Sequence, residues 1–162
     1  QVIYFKYDGK YSHKFPFLTS KIEISKEVVC SKITRVADEM TDETTLRSPL
    51  LSAISIQKNI SSKGTFYYLS LRTKGSTVVV DGTGVIILFN DGTKMTKPVE
   101  IDVDAGSNGF DYSAFITLTQ KDLVILSTKE MKKFRLYIYD QNVKPYEAEE
   151  FTYFVKCVME MK

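Results

Sequence analysis

Histidine and tryptophan are almost missing from this sequence, and cysteine is scarce. The 162 residues include one histidine, no tryptophan and two cysteines. No nucleophile elbow, phosphate-binding loop or zinc-ligand spacing surrounds the single histidine, His13. The sequence therefore identifies no catalytic set. We expect a protein that is not an enzyme and that uses no cofactor.

An excess of one charge and long apolar runs are also absent. Lysine and arginine number 22 against 20 aspartate and glutamate residues, so the net charge is only +2. This balance lacks the basic excess typical of nucleic-acid-binding domains. No apolar run approaches the roughly 20 residues that a membrane-spanning helix needs. We expect neither a nucleic-acid partner nor a transmembrane segment, and the sequence does not indicate an oligomeric state.

Apolar and aromatic residues are plentiful. Hydrophobic residues make up 43% of the chain, which includes ten tyrosines and ten phenylalanines. A chain of this length and composition can bury one core, so we expect a single domain over residues 1–162. Aromatic residues favour strands. The aromatic and basic stretch at 1–17 is predicted to be an N-terminal arm or an edge strand.

The apolar run at 85–89 organises the rest of the prediction. Five apolar residues in a row, closed by Asn90, Asp91 and Gly92, are typical of a strand that is buried on both faces and enters a tight hairpin. Alternating residues predict further strands at 66–73 and 134–140. Pro98 places the segment 94–104 at a sheet edge or bulge.

Other segments gave weaker patterns. Residues 28–37 are imperfectly spaced, which indicates a strand with a bulge. Residues 113–118 are predicted to form a strand with Phe115 facing inward. Thr119 and Asp122 have the spacing of a capping box and predict a short helix near 120–126.

The C-terminal segment fits both a strand and a helix by its apolar spacing. Pro145 suits a first helical turn, and three glutamates near the start complement the positive end of a helix dipole. We therefore predict a helix near 145–161. The predicted fold class is mostly β: an antiparallel β-sandwich with these two helices, the C-terminal one covering a face or an end of a sheet.

Three tyrosines are candidate ligand-binding residues. Tyr68, Tyr137 and Tyr139 lie on the polar side of their predicted strands, where they could form an aromatic platform for a glycan. The alternative is that the C-terminal helix covers them as a second core. Exposure of these side chains to solvent distinguishes the glycan platform from the covered second core.

The segment 102–111 resembles the start of a calcium-binding loop. Asp102, Asp104 and Asn108 supply oxygen ligands, but the bidentate glutamate that closes such loops is replaced by Phe115. A glycine-rich connection between strands explains the segment at least as well. The two cysteines, Cys30 and Cys157, leave two alternatives open: one disulfide or two buried thiols.

The order of elements in the second half of the chain is characteristic. An aromatic strand at 66–73 precedes a buried strand ending in Asn90-Asp91-Gly92, a capped turn at 122–123, the strand 133–140 and the closing residues 154–157. This order resembles uncharacterised small exported β-sandwich proteins of gut-dwelling Gram-negative bacteria. The resemblance implies a sandwich fold and a location in the periplasm or at the cell surface, but it carries no site residues. The start at Gln1 fits an export signal already removed.

From these observations we expect a non-catalytic exported domain. Its most direct role would be a binding module for a glycan or another cell-surface ligand. The alternative is a structural or protein-interaction component of a cell-surface assembly, which would use the unpaired edge of the strand that contains Pro98.

Overall fold

The computed structural model describes residues 25–77 and 83–162. The predicted arm at 1–17 and the histidine His13 lie outside these residues. Within them the chain forms ten strands and three helices. The strands are β1 Thr34–Asp38, β2 Glu43–Arg47, β3 Ile54–Ser61, β4 Gly64–Gly75, β5 Thr83–Phe89, β6 Lys94–Glu100, β7 Asp102–Gly106, β8 Gly109–Leu118, β9 Met131–Leu136 and β10 Tyr139–Asn142. The helices are α1 Lys26–Cys30, α2 Gln120–Thr128 and α3 Pro145–Glu160.

Two antiparallel sheets contain these strands. One has six strands in the order β1-β2-β3-β4-β8-β7, and the other has four in the order β10-β9-β5-β6. Every pair of neighbouring strands is antiparallel. The prediction of a mostly β, antiparallel fold with a C-terminal helix is confirmed.

One apolar core joins the inner faces of both sheets and helix α3. Alternate residues along each strand point into it, as the two-residue period of a strand requires. The largest fully buried side chains are Tyr112, Phe89, Phe134, Phe151, Phe154, Leu46, Ile54, Ile56, Leu69, Leu71, Ile87 and Leu123. Helix α3 packs beside the inner face of β3 and reaches β9. It therefore does not cover the outer faces of the sheets.

Strand β5 occupies the middle of the four-stranded sheet, but it is not buried on both faces. Val85, Ile87 and Phe89 are in the core, whereas Ile86 is 38% exposed and Leu88 is half-buried. The prediction of burial on both faces was therefore wrong, since no described helix or strand packs on the outer side of this sheet. The predicted hairpin follows directly, with Gly92 in the left-handed region at φ 83°.

The segment predicted as one bulged strand at 28–37 divides into helix α1 and strand β1. Ser25 caps the helix, because its Oγ accepts the N–H of Val28 at 3.4 Å. Glu27 lies in the first turn, where its charge suits the positive end of the helix. The imperfect spacing thus reflects a change from helix to strand rather than a bulge.

The segment predicted as a strand at 134–140 is also divided. Tyr137 and Ile138 form a two-residue turn between β9 and β10, and Leu136 pairs directly with Tyr139. Tyr137 has φ 58°, a conformation that residues other than glycine rarely adopt. Alternation alone missed this hairpin, because the turn contains none of the usual turn residues.

The strand that contains Pro98 lies at an edge, as predicted. The segment 94–104 does not stay in one sheet: β6 is the edge of the four-stranded sheet, and β7 is an edge of the six-stranded sheet. The chain crosses between the sheets at Ile101. Because Pro98 has no backbone N–H, an edge position costs the sheet least.

Both predicted helices are present. Thr119 and Asp122 form a reciprocal capping box at the start of α2, with Asp122 Oδ2 accepting the backbone N–H of Thr119 at 2.8 Å. Helix α3 begins at Pro145 and buries Ala148, Phe151 and Val158 against the sheets. The acidic first turn and the apolar helical face therefore identified this element correctly.

Candidate ligand-binding face

Two aromatic rings stack on the outer face of the six-stranded sheet. Tyr68 on β4 and Phe115 on β8 have ring centroids 4.8 Å apart and planes inclined by 16°. Phe115 is 50% exposed, and Tyr68 is half-buried. The prediction that Phe115 faces inward was wrong. Its neighbours Ala114 and Ile116 take the inward positions, as the alternating period requires.

Phe66 extends this pair along β4. It lies two residues before Tyr68, so it faces the same side of the sheet, and 43% of it is exposed. Phe66, Tyr68 and Phe115 together form a diagonal aromatic stripe across two strands. No described helix or strand packs on the stripe. An exposed set of large aromatic side chains of this kind is typical of a binding surface.

A ladder of polar side chains borders the stripe. Arg47 donates two hydrogen bonds to Gln57 Oε1, from Nε at 3.0 Å and from Nη2 at 2.7 Å. Gln57 in turn donates to Asn59 Oδ1 at 2.6 Å, and Thr45 Oγ1 lies 3.4 Å from the same oxygen. Thr45, Arg47, Gln57 and Asn59 are the polar ladder. These mutual bonds fix the orientation of the side chains while leaving donors and acceptors for a ligand.

Strand register brings the polar ladder against the aromatic stripe. Gln57 pairs directly with Tyr68, and Asn59 pairs with Phe66. Cβ atoms of directly opposed residues lie about 5 Å apart. Arg47 pairs with Gln57 on the next strand, which completes a row from guanidinium to amide to aromatic ring. The face therefore offers apolar ring surface and directional hydrogen-bonding groups side by side.

The three predicted tyrosines do not share one surface. The ring of Tyr139 lies against Gly75, at the far end of β4, seven residues and about 23 Å from Tyr68 along the strand. Its hydroxyl accepts the N–H of Ser76 at 3.1 Å and that of Thr77 at 2.9 Å. Tyr137 is in the turn between β9 and β10. Of the three, only Tyr68 belongs to the aromatic stripe.

The residues considered for calcium form a hairpin. Asp104 on β7 pairs with Asp111 on β8, and Asn108 lies in the short turn between those strands. Gly109 adopts φ 116°, which a side chain would strain. Within residues 25–77 and 83–162, no three histidine, cysteine or carboxylate side chains gather closely enough to hold a metal ion.

The two cysteines form a disulfide. Cys30 at the end of α1 and Cys157 in α3 have Cα atoms 5.4 Å apart. Sequence reasoning had left a disulfide and two buried thiols as equal alternatives. The distance that decides between them depends on how the two helices pack, and the sequence does not contain it.

The polar ladder was missed by sequence reasoning. Arg47, Gln57 and Asn59 belong to two strands and are distant from Tyr68 in sequence, so only the register of β2, β3 and β4 brings them together. Phe115 could have been found, because the apolar residues at 114, 116 and 118 alternate with it. The large apolar side chain of Phe115 led to the prediction that it faces the core.

Comparisons with protein-family models, with curated proteins and with solved structures found no match to this chain. In the part of the chain that the structure covers, every helix is too short or too polar to be a bilayer-spanning segment.

Proposed function

We propose that this chain is a non-catalytic binding module that takes a glycan on the outer face of its six-stranded sheet. The observation that carries the proposal is the exposed, stacked pair of Tyr68 and Phe115 beside the polar ladder. The resemblance noted in the sequence implies no ligand, so the proposal rests on this geometry.

Sugar rings match such a face chemically. A pyranose has an apolar face of C–H groups and a rim of hydroxyls. The aromatic stripe would contact the C–H faces, and the amides and guanidinium of the polar ladder would bond the hydroxyls, because amides both donate and accept. A neutral glycan needs no strong electrostatic field, which agrees with the net charge of +2.

A location outside the cytoplasm is part of the proposal. The disulfide between Cys30 and Cys157 supports it, since disulfides persist in oxidising compartments and are rare in the cytosol. A periplasmic or cell-surface glycan would then be accessible to the aromatic stripe.

A second candidate function is a protein-interaction component of a cell-surface assembly. It is favoured by strand β1, in which all five residues are exposed and whose described strand partner is β2 alone. An unpaired edge can accept an added strand from a partner. This function would place the contacts on β1 rather than on the aromatic stripe.

Glycan-array binding of the purified protein tests the first function. Tyr68→Ala and Phe115→Ala are expected to weaken the binding of any glycan by about tenfold or more, since fully burying a large apolar side chain is worth about 1.5–3 kcal/mol. Gln57→Ala should weaken binding less. Tyr146→Ala is the matched control, because Tyr146 is 55% exposed on α3 and lies outside the aromatic stripe.

Two results would contradict the glycan proposal. One is a protein that binds no glycan on the array. The other is a bound glycan whose affinity is unchanged in both stripe variants. Thermal unfolding of each variant would accompany the array, because a folded variant that loses binding separates recognition from stability. Binding of a protein partner that is lost on substituting Val36→Pro in β1 would favour the second function.

A further inference from the structure

The four-stranded sheet has apolar side chains on its outer face that the core does not use. Ile86 and Leu88 alternate with the buried Val85, Ile87 and Phe89 on the central strand. Polar residues normally occupy such positions in an antiparallel sheet with one solvated face. Two apolar residues on the outer face of this strand therefore indicate a surface that contacts an apolar part of a ligand.

Three cationic side chains surround the two apolar ones. Leu88 lies directly between Lys94 on β6 and Lys133 on β9, and Ile86 lies opposite Arg135 on β9. Neighbouring strands are about 4.8 Å apart, so Lys94 and Lys133 originate about 10 Å from each other across Leu88. Their flexible stems allow both ammonium groups to reach one bound group.

These residues line a depression of about 240 Å³, together with Phe134 and Asp140. This volume is smaller than that of most sites for drug-sized ligands, which begin near 300 Å³. It has room for a small organic molecule. Ile86 and Leu88 are on β5, and the three cationic side chains come from the strands on either side of it.

The depression keeps a positive charge. Asp140 accepts hydrogen bonds from Arg135 and, at 2.7 Å, from Lys133. Hydrogen bonds from Arg135 and Lys133 hold the pKa of Asp140 well below its usual range, so this carboxylate stays ionised. One carboxylate therefore balances one of three cations. Among the residues that the structure describes, Lys94 has no carboxylate within ion-pair distance.

We propose that this depression binds a small organic carboxylate with a short aliphatic or aromatic body. The carboxylate lies between Lys94 and Lys133, and the body covers Ile86 and Leu88. The excess of cations favours an anionic ligand over a neutral one, because hydrogen bonds to charged groups are the stronger ones. The site is on the other sheet from the aromatic stripe, so the inference does not depend on the glycan proposal.

A series of carboxylates titrated into the protein by calorimetry tests the proposal. The probes are acetate, butyrate, hexanoate, octanoate and phenylacetate, with octanamide as the neutral counterpart of octanoate. Affinity is expected to rise from acetate to octanoate, because each added methylene buries more apolar surface. Octanamide is expected to bind at least tenfold more weakly, since hydrogen bonds to charged groups are stronger than neutral ones.

Variants locate the site. Lys94→Gln should weaken octanoate binding about tenfold or more, because it removes the unpaired cation. Ile86→Thr should reduce the gain in affinity with chain length and leave acetate binding unchanged. Lys121→Gln is the control, since Lys121 is an exposed lysine on α2. Neither site variant alters the core, so both are expected to fold.

Several results would overturn the proposal. These are no binding by any carboxylate, equal binding of octanoate and octanamide, and equal loss in Lys94→Gln and Lys121→Gln. Methyl NMR provides an independent readout: octanoate should shift the signals of Ile86 and Leu88, and shifts confined to other methyl groups would place the ligand elsewhere. Tyr68→Ala should leave carboxylate binding intact, so failure of this site and failure of the glycan proposal can be told apart.

Discussion

Lys97 on β6 lies with its Nζ 2.6 Å from Oδ2 of Asp122. The same oxygen accepts hydrogen bonds from the backbone N–H of Thr119 at 2.8 Å and from its hydroxyl at 2.7 Å. A single carboxylate oxygen thus joins the edge strand of the four-stranded sheet to the first turn of α2. Asp122 is buried, so these partners satisfy a charge that water scarcely reaches.

Replacing Asp122 by alanine should destabilise the protein. The variant loses the half of the capping box in which Asp122 accepts hydrogen bonds from Thr119, and it leaves Lys97 without its ion-pair partner. Leaving such partly buried donors unpaired costs about 1–3 kcal/mol. Chemical denaturation of the two proteins would measure the difference. An unchanged midpoint would show that the Lys97–Asp122 contact does not contribute to stability.

The same carboxylate should make stability depend on pH in acid. Burial would raise the pKa of Asp122, but hydrogen bonds from Lys97 and Thr119 outweigh it and hold the pKa below the usual 3.8. Its contribution is therefore complete above the unfolded-state pKa and is lost as the pH falls through the folded-state value. The stability difference between the wild type and Asp122→Asn should shrink as the pH falls below 4, measured by denaturation across that range.

Removing the disulfide should lower stability strongly. Cys30 and Cys157 close a loop of 127 residues, and in the chain-entropy model such a cross-link stabilises by about 4–5 kcal/mol. The double variant Cys30→Ser, Cys157→Ser should melt about 10 °C lower or more. Intact mass after alkylation under non-reducing, denaturing conditions is the control. Two alkylated thiols in the wild-type protein would contradict the disulfide.

Tyr139 should lose its proton at a lower pH than an ordinary tyrosine. Hydrogen bonds from Ser76 and Thr77 lower the pKa of Tyr139 to about 8 from 10.0. The ionised form is thus favoured in the folded protein, and its contribution to stability grows as the pH rises from 8 towards 10. Tyrosinate absorbance of the wild type minus that of Tyr139→Phe should show one group titrating near pH 8. A difference curve centred at the ordinary value would contradict this.

The stability of the turn at Tyr137 should depend on the backbone conformation of this residue rather than on its ring. A residue at φ 58° is strained unless it is glycine, asparagine or aspartate. Tyr137→Asn and Tyr137→Val both remove the ring, so their difference isolates the backbone. We expect the asparagine variant to be more stable by about 1 kcal/mol, although valine favours strands. Equal melting temperatures would argue against strain at this turn.

The sequence predicted those elements whose signals are local. The capping box of α2 and the acidic, proline-led start of α3 each lie within a few residues, and both helices are present. The hairpin at Tyr137 was missed because its turn carries no glycine, asparagine or proline. The short helix α1 was missed although Ser25 and Glu27 mark its start, because five residues give too short a periodic pattern to distinguish a helix from a bulged strand.

The candidate sites depend on non-local information. Tyr68 was identified from alternation alone, but its partners Phe115, Gln57 and Arg47 come from three other strands. Which side chains meet depends on register, and register is set by the whole buried pattern. The depression around Leu88 illustrates the same limit, since the apolar run at 85–89 was interpreted as burial and not as an exposed apolar surface.

The bridge between α1 and α3 also determines how the domain would respond to mechanical tension. A pulling force applied to the chain before Cys30 and after Cys157 passes through the covalent cross-link and bypasses the intervening segment. Both sheets, the aromatic stripe and the depression around Leu88 lie within that segment. Under tension the chain can therefore extend only outside the cross-link, and both proposed binding surfaces would keep their shape while the molecule is stretched.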